Sequence, residues 1–561
     1  MNCTAKVISP LEKVFYDDKM SSFKSYPKSS ALIGEKHNFC IAYMNTDFSE
    51  CRYTSASIYL TVKSDIKKHV SLCTVEHVPA VYAANFDEKE DGMLRKYPGL
   101  YPDVKKPVKE KEIIKLLPKL LNSLWVEVDT TDVASGNHKI KIEFHAENGN
   151  LLCECEHTVK VIGAKLPEQK LMITHWFHTD CLADYYKVKV FSQKHWKAIK
   201  NAMITYANAG NNIIYTPLFT PPLDTNVGGE RTTVQLVDVA LENGKYTFDF
   251  SKLHRWVKIC EDAGIKYFEM NHLFTQWGAF HAPKIMATVD GKKKKIFGWE
   301  TDAHGAEYEA FLSQFLPALL EQLKLLDLED CTLFHISDEP SLEHLESYKA
   351  CSEIIRKYLK GYKIMDAMFN PEFYTNGYVD IPIPYIKHAD TFFPLNPDPK
   401  FVYYCGIDTE CMGRALAMHS CRTRISGIQF YAHKIDGFLH WGHNFYNSCK
   451  SLRHIDPYAV TDADKQFGAG DNFMVYPGDN FESFESVRLA VFRDGLQDKR
   501  ALELCEALCG AEAVNNVIAE LNEGKPLDLC KTPTDKDFAI KLREKINSMI
   551  EAAIRNKHTY I

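Results

Sequence analysis

The sequence predicts a multidomain fold: an N-terminal all-β sandwich, then a (β/α)8 barrel of the TIM type, then C-terminal helices. Short alternating apolar runs fill the first part, apolar runs alternate with helical segments in the middle, and helical periodicity dominates the end. With 561 residues, the chain is also too long for one hydrophobic core. We therefore assign the sandwich to 1–165, the barrel to 166–483, and a helical segment packed on the barrel to 484–561.

The N-terminal part shows the alternation of a half-buried sheet. Its runs, from SSALIGEKHNFCIAYMN to LLCECEHTVKVIGAKL, are separated by Gly, Asn and Asp turns. Within the last run, Cys153, Cys155 and His157 share one face of the predicted strand. Because a structural zinc needs a fourth ligand and a wider cysteine spacing, we interpret them as the inward face of a sandwich strand.

The barrel region contains apolar runs that alternate with helical segments, as expected for parallel strands and crossover helices. The predicted strands are 171–177 (LMITHWF), 211–217 (NNIIYTP), 266–271 (KYFEMN), 331–337 (CTLFHIS), 363–369 (KIMDAMF), 390–395 (DTFFPL), 401–405 (FVYYC) and 437–442 (GFLHWG).

Composition excludes several function classes. A net charge of −7 argues against a nucleic-acid partner, and the basic run Lys292–Lys295 follows Asp290–Gly291, as in a solvated hairpin tip. No apolar stretch reaches the roughly 18 residues that a membrane span needs. The first residues lack an apolar signal-peptide core, and 17 scattered cysteines indicate free thiols, so we expect a cytoplasmic protein.

The carboxyl ends of the strands are where such a barrel carries its functional side chains. After the fourth run, HISDEP places Asp338 and Glu339 side by side, and Pro340 both stops the strand and suits a first helical turn. We expect both carboxylates to reach one cavity, where mutual repulsion raises one pKa and makes that group an acid. The alternative is that Asp338 caps the next helix, with Glu339 in its first turn.

Several motifs in a fixed order resemble glycoside hydrolase family 123, whose members are exo-acting β-N-acetylgalactosaminidases. They are HISDEP, NHLFTQWGAFHAPK, FGWE, GFLHWGHNFYN and GDNFMVYPG followed by SVRLAVFRDGLQD, between about 170 and 505. The resemblance implies removal of terminal β-linked N-acetylgalactosamine from glycans or glycolipids, with no metal or other cofactor. It also implies a retaining mechanism in which the substrate's 2-acetamido oxygen is the nucleophile. Asp338 would then orient the acetamido N–H, and Glu339 would act as acid and then base.

Aromatic, amide and imidazole side chains at the strand ends are candidates for contact with the substrate. Three tryptophans are expected to wall the pocket, a tyrosine to hold the acetamido oxygen, and amides and a histidine to bind hydroxyls, while His335 supports the catalytic pair from behind. The predicted substrate-binding residues are Trp176, Asn271, His272, Gln276, Trp277, Trp299, Tyr404, Trp441, Asn444 and Tyr446.

Other functions stay open at this point. The aromatic loops also suit a carbohydrate-binding protein without catalysis, and N-acetylglucosamine or another 2-acetamido sugar is an alternative substrate. A metal-dependent hydrolase is the third alternative, because barrel metallohydrolases place histidines at strand ends. Its candidate ligands are His175, His178, His440 and His443.

Overall fold

The structure is a computed structural model, which describes residues 2–46, 56–81, 93–404 and 411–559. The chain forms two compact units, so it is multidomain. The first unit comprises Met1–Gln169, Asp408–His433 and Phe484–Ile561, and the second comprises Lys170–Ile407 and Lys434–Ser483.

In the first unit, ten strands form two five-stranded sheets with the orders β1-β3-β8-β5-β6 and β2-β10-β9-β4-β7. The strands are β1 (Cys3–Ile8), β2 (Lys28–Ile33), β3 (Lys36–Asn45), β4 (Ala56–Lys63), β5 (Val70–Ala80), β6 (Gly99–Pro107), β7 (Ile114–Leu116), β8 (Asn122–Asp129), β9 (Gly136–Ala146) and β10 (Leu151–Lys165). Ile41 and Val126 of one sheet share a core with Ile142 and Val159 of the other, as in a β-sandwich.

The first predicted run, SSALIGEKHNFCIAYMN, forms two strands, β2 and β3, which belong to different sheets. Gly34 has a φ of +86°, which glycine adopts without strain, and the turn there separates β2 from β3. The CECEH segment lies in β10, where Cys153 and Cys155 pack against the sandwich core. His157 is buried and shares a hydrogen bond of 2.7 Å with the Ser29 hydroxyl. The fifteen cysteines that the structure describes are free thiols.

The second unit contains two parallel sheets with the orders β11-β22-β21 and β12-β15-β18-β19-β20. These strands are β11 (Met172–His175), β12 (Ile213–Thr216), β15 (Tyr267–Met270), β18 (Thr332–Phe334), β19 (Lys363–Met368), β20 (Ile381–Pro384), β21 (Phe401–Tyr404) and β22 (Gly437–His440). The helices of this unit are α1 (Thr179–Tyr185), α2 (Gln193–Asn208), α3 (Ser251–Ala263), α4 (Ala306–Leu325), α5 (Leu345–Arg356), α6 (Glu372–Thr375) and α7 (Ala389–Phe392).

The prediction for the sixth strand was wrong. The run 390–395 is helical, because α7 covers its start and Phe393–Leu395 forms a 3-10 turn with a proline in its first turn. The strand is β20 instead, whose sequence IPIP has prolines that lack a backbone N–H. A proline strand is tolerated here because β20 is last in its sheet and has a ladder only with β19.

Long loops after β12 and β15 form a further four-stranded sheet that was not predicted, with the order β14-β13-β16-β17. Its strands are β13 (Asp238–Glu242), β14 (Lys245–Asp249), β16 (Ile285–Val289) and β17 (Lys292–Phe297). β16 and β17 form the hairpin expected at Asp290–Gly291, and Lys292, Lys293 and Lys294 are exposed. One more short strand of this unit is β23 (Val475–Pro477).

The C-terminal helices, which were expected to pack on the barrel, belong to the first unit. They are α9 (Val487–Cys509), α10 (Ala511–Leu521) and α11 (Phe538–Thr559), which follow strand β24 (Ser483–Glu485), and the earlier helix α8 (Cys421–Ala432) belongs to the same unit. They share a core with Leu32 of β2 and Ile162 of β10, because these outward-facing apolar residues of the sandwich need a cover. Within the described residues, no helix has the length and apolar content to cross a membrane.

Candidate active site

Asp338 and Glu339 follow β18, and the backbone turns sharply between them. Glu339 has a φ of +44°, a left-handed conformation that few residues other than glycine adopt. Two hydrogen bonds hold this turn: the Glu339 N–H donates to the Ala367 carbonyl (3.1 Å), and the Trp277 N–H donates to the Asp338 carbonyl (2.9 Å). The turn lets neighbouring side chains, which an extended strand would point to opposite faces, enter one cavity.

The alternative role for Asp338, a helix cap, does not hold. The next helical turn is Leu342–His344, and its N-cap is Ser341. The Ser341 hydroxyl accepts from the His344 backbone N–H, and His344 Nδ1 accepts from the Ser341 backbone N–H (3.2 Å), so the helix start is satisfied without Asp338. The Asp338 carboxyl therefore remains directed to the pocket that both acidic residues line.

This pocket has a volume of about 260 Å³ and lies within the second unit. Its wall combines three tryptophans with carboxyl, amide and aliphatic groups, a mixture that suits a ligand with both apolar faces and hydroxyls. The lining residues are Trp176, His178, Leu223, Asp224, Gln276, Trp277, Asp338, Glu339, Ala367, Tyr403, Leu439, Trp441, Cys449, Lys450, Phe467 and Asp471.

The surroundings of the acidic pair favour retention of a proton. Burial raises the pKa of Asp338, and the nearby charges of Glu339 and Asp366 raise it further. Burial also raises the pKa of Glu339, while a hydrogen bond from the Tyr403 hydroxyl to its Oε1 (2.6 Å) acts in the opposite direction. The pair can therefore hold a proton at a pH where isolated carboxyls would be ionised, as a general acid requires.

Beneath the pocket, His335 lies between two carboxylates. Its Nε2 donates to Glu269 (2.5 Å) and its Nδ1 donates to Asp366 (2.7 Å), and all three side chains are fully buried. Burial alone would lower the pKa of His335, but the two carboxylates outweigh that effect and raise it to about 9. The two carboxyls therefore favour the imidazolium form of His335 at neutral pH.

The same carboxylates connect this buried group to the pocket. Glu269 accepts a hydrogen bond from the Trp176 indole N–H (2.7 Å), which fixes a pocket wall. Asp366 accepts from the backbone N–H groups of Ile336 (3.1 Å) and Ser337 (3.3 Å), immediately before Asp338. His335, predicted to support the catalytic pair, thus binds Glu269 and Asp366, which in turn position a pocket wall and the backbone before Asp338.

A family model described as "Glycoside hydrolase 123, catalytic domain" matches residues 176–505, which is more than half of the chain. The chain belongs to glycoside hydrolase family 123. A search of curated protein sequences finds no match. Family membership makes the chain a glycosidase, in agreement with the resemblance seen in the sequence.

Among solved structures, the chain is similar to a family 123 glycoside hydrolase from Clostridium perfringens, studied for glycolipid glycan hydrolysis. The TM-score is 0.73 at 16% identity, with 100% of both chains covered, so the likeness concerns the fold. Other matches are weak: a Parabacteroides merdae β-glucuronidase has a TM-score of 0.31 at 10% identity, covering 88% of this chain and 52% of that one. A termite-gut GH10 xylanase has a TM-score of 0.32 at 11% identity, covering 85% and 100%.

In this family 123 chain, four predicted substrate-binding residues line the pocket: Trp176, Gln276, Trp277 and Trp441. The Trp441 indole N–H donates to Asp471 (3.1 Å), so the ring orientation is fixed. Trp277 is 40% exposed, which leaves its face accessible. The Gln276 amide, however, binds protein backbone: its oxygen accepts from the Asp224 N–H (2.6 Å), and its nitrogen donates to the Thr225 carbonyl (3.2 Å).

Three other predicted residues do not line the pocket, because their polar groups are engaged elsewhere. Asn444 bonds the backbone of His178 through both its amide oxygen (2.8 Å) and its amide nitrogen (3.0 Å). The Tyr446 hydroxyl donates to the Val475 carbonyl (3.0 Å). The Trp299 indole N–H donates to the Gly229 carbonyl (3.0 Å). The Asn444 amide therefore positions the backbone of His178 instead of a sugar.

Asn271, His272 and Tyr404 are buried and also lie outside the pocket lining. Asn271 accepts from the Phe219 N–H (3.2 Å), and His272 Nδ1 shares a hydrogen bond with the Tyr215 hydroxyl (2.8 Å). Tyr404 is next to the pocket residue Tyr403 in β21, and strand alternation turns the two rings to opposite sides. Cys405, the last residue of the predicted strand 401–405, lies outside the described residues.

Several pocket residues were not among the predicted binding residues. Tyr403 belongs to the predicted strand 401–405, but only its neighbour Tyr404 was chosen, and Asp224 lies in a long Pro-rich loop that gave no sign of its proximity to the pair. Strand parity is the one sequence signal that distinguishes Tyr403 from Tyr404, and it requires the strand's inward face to be known. The remaining additions are His178, Leu223, Ala367, Leu439, Cys449, Lys450, Phe467 and Asp471.

Three of the histidines proposed as an alternative metal set lie near one another, since the His175 ring centroid is 5.5 Å from that of His440 and 6.1 Å from that of His443, but within the described residues their nitrogens form no ligand set. In the described part of the chain, one group brings three potential ligand atoms within 4.8 Å of one another, namely His272, His335 and Asp366. There, both ring nitrogens of His335 are already bonded to carboxylates. Of the four proposed ligands, His178 bonds the Trp441 carbonyl (3.0 Å). Burial, together with the Arg231 guanidinium, lowers the pKa of His178 to about 3.

Proposed function

We propose that this family 123 enzyme removes terminal β-linked N-acetylgalactosamine from glycans or glycolipids by a retaining, substrate-assisted mechanism. The observation that carries the proposal is the adjacency of Asp338 and Glu339 on one tight turn, with both side chains in one pocket. A retaining pair that includes an enzyme nucleophile has carboxyls about 5 Å apart, on either side of the anomeric carbon. Chain neighbours on one turn suit a different division of labour, in which the substrate supplies the nucleophile.

In this mechanism the 2-acetamido oxygen attacks the anomeric carbon and the glycosidic bond breaks, giving an oxazolinium ion. Glu339 transfers its proton to the leaving oxygen and then takes a proton from the water that opens the oxazolinium ring. Asp338 accepts a hydrogen bond from the acetamido N–H and places negative charge beside the developing cation. Retention follows because the two displacements each invert the anomeric carbon.

The family resemblance assigns the acid to Glu339, whereas burial raises the pKa of both carboxyls and lets the pair share a proton. The negative charge of Asp366, which contributes to the raised pKa of Asp338, also favours a positive intermediate in the pocket. Trp277 and Trp441 offer aromatic faces to the sugar ring or the acetamido methyl group. The Clostridium perfringens structure, studied for glycolipid glycan hydrolysis, supports glycolipids as one substrate class.

The proposed architecture is a closed (β/α)8 barrel built from the two parallel sheets of the second unit. Two contacts support closure at the seams between the sheets. The Asn212 N–H, just before β12, donates to the Ile173 carbonyl of β11 (3.1 Å). At the other seam, Tyr385 and Tyr403 form an isolated parallel bridge between the end of β20 and β21. A closed barrel places the carboxyl ends of its strands around one mouth, which explains the convergence of distant loops on this pocket.

Aryl β-glycosides of N-acetylgalactosamine, N-acetylglucosamine and galactose, compared side by side, test this function. We expect the first to be cleaved best and the 2-hydroxyl galactoside orders of magnitude more slowly in kcat as well as kcat/KM, because loss of the internal nucleophile removes transition-state stabilisation. The first product detected by NMR should have the β configuration. Efficient turnover of the galactoside, or an α product, would exclude the substrate-assisted mechanism, and preference for N-acetylglucosamine would reassign the substrate.

A further inference from the structure

The pocket contains a third carboxyl close to the catalytic pair, which the proposed mechanism does not use. Asp224 lies in the loop after β12, whereas Asp338 and Glu339 follow β18, so the two acidic elements approach the cavity from different strand ends. The negative charge of Asp224 contributes to the raised pKa of Asp338, which places the two carboxyls in one electrostatic neighbourhood.

The backbone of Asp224 is held in an unfavourable conformation by contacts from two other loops. Its φ is +38°, which a residue with a side chain adopts only when its surroundings impose it. The Asp224 N–H donates to Gln276 Oε1 (2.6 Å), and the Gln276 amide nitrogen donates to the Thr225 carbonyl (3.2 Å). The Ser451 hydroxyl donates to the Asp224 carbonyl (2.7 Å). These contacts fix the position of the carboxyl without using all of its acceptors.

The two oxygens of the Asp224 carboxyl have different surroundings. Oδ2 accepts the Lys450 backbone N–H (3.0 Å), which sets the orientation of the group. Over the ranges that the structure describes, no hydrogen bond reaches Oδ1, and the side chain lines the pocket. A fixed carboxylate oxygen that faces a sugar pocket is an acceptor for a hydroxyl, and hydrogen bonds to a charged acceptor are the stronger kind.

We propose that Asp224 is a specificity-determining residue that accepts hydrogen bonds from the C3 and C4 hydroxyls of the bound sugar. This inference rests on the proposed function, in which Glu339 serves the bond at C1 and Asp338 the acetamido group at C2. The next ring positions beyond C2 are C3 and C4, and Asp224 enters the same pocket from a different loop, with its charge acting on Asp338. Because C4 is the carbon at which galacto and gluco sugars differ, Asp224 contributes to the choice between them.

The test is a cycle between Asp224→Asn and deoxy substrates. The asparagine keeps an oxygen for the Lys450 N–H, so the loops remain joined while the charge is removed. With the wild-type enzyme, 3-deoxy and 4-deoxy aryl N-acetylgalactosaminides should lose about 10- to 100-fold in kcat/KM, and the 6-deoxy analogue little. Asp224→Asn should show a similar loss with the parent substrate and no comparable further loss with the 3-deoxy and 4-deoxy analogues.

Asp471→Asn is the matched control, because Asp471 also lines the pocket but binds the Trp441 indole (3.1 Å). It should lower turnover of the parent and all deoxy analogues by the same factor. If Asp224→Asn behaves like this control, with full additional losses for each deoxy substrate, the assignment of Asp224 is wrong although the enzyme's function stands. If the wild-type enzyme cleaves no 2-acetamido sugar, the proposed function fails first. Asp224→Ser provides the same cycle if the asparagine variant does not fold.

Discussion

The Tyr403 hydroxyl donates a hydrogen bond to Glu339 Oε1 over 2.6 Å, and it stabilises the ionised form of the proposed acid. Removal of this bond in Tyr403→Phe should raise the pKa of Glu339. Because the acid must be protonated, kcat/KM falls as pH rises through that pKa, so the alkaline limb should move upwards by about 0.5 to 1 on the pH scale. Tyr404→Phe, on the other side of the strand, is the control and should leave this limb in place. A downward or absent shift in Tyr403→Phe would contradict the contact's role.

The different roles of Asp338 and Glu339 can be tested with substrates that differ in their leaving group. Glu339→Gln should abolish cleavage of natural glycans, whose alkoxide leaving groups need a proton, and should affect aryl glycosides with acidic leaving groups much less. Asp338→Asn should slow both substrate types, because it acts on formation of the oxazolinium ion. Kinetics on a natural glycan and a nitrophenyl glycoside provide the measurement. Wild-type rates for Glu339→Gln on both substrates would remove its assignment as the acid.

Because His335 is buried between Glu269 and Asp366, the stability of the fold should depend on pH through this histidine. Its pKa is raised from an ordinary value of 6.5 to about 9 in the folded state. The stabilisation from its protonation is therefore complete below pH 6.5 and is lost as pH rises through 9, with an amplitude on the order of 3 kcal/mol. His335→Gln should lack this component and should be destabilised by about 3–5 kcal/mol at neutral pH, because Glu269 and Asp366 lose their shared cation. Denaturant unfolding at pH 6.5 and 9.5 compares the two proteins, and an equal pH dependence would refute a charged His335.

The loop that carries Trp277 depends on a glycine with no room for a side chain. Gly278 has a φ of +131°, and a Cβ there would lie 2.5 Å from the Phe280 ring. Gly278→Ala should therefore displace the loop and reduce kcat/KM by at least about 10-fold, the loss expected when pocket geometry is disturbed. Gly244→Ala is the matched control, because Gly244 also has a positive φ of +76° but open space around the added carbon. Equal activity of the two variants would show that the loop tolerates the change.

Transition-state mimicry distinguishes the proposed intermediate from other glycosidase intermediates. A thiazoline analogue of the oxazolinium ion should inhibit the wild-type enzyme more tightly than N-acetylgalactosamine does, because it reproduces the ring and charge that the pocket favours. Asp338→Asn should lose most of this preference, since its carboxylate faces the acetamido-derived ring. Inhibition constants for both compounds against both proteins are the measurement. A thiazoline that binds no better than the free sugar would argue against the intermediate.

The sequence was most informative where function depends on local order. A buried strand that ends in SDEP is read within one short segment, so Asp338 and Glu339 could be placed at a strand end without knowledge of the rest of the fold. Apolar periodicity likewise located most of the parallel strands, because burial on both faces leaves a continuous apolar run. It failed at β20, whose two prolines are untypical of a strand and are tolerated because β20 has a hydrogen-bonded ladder on one side only.

Tertiary structure decided which neighbouring residues reach the pocket. Tyr403 and Tyr404 have the same side chain, and only the direction in which β21 faces its neighbours selects one of them. Asp224 enters the site because contacts from Gln276 and Ser451, distant in sequence, impose a backbone conformation that local preference opposes. Composition and hydrophobic periodicity indicate which residues of a segment are buried. Which residues line the pocket depends on which long loops meet, and contacts between residues far apart in the chain decide that.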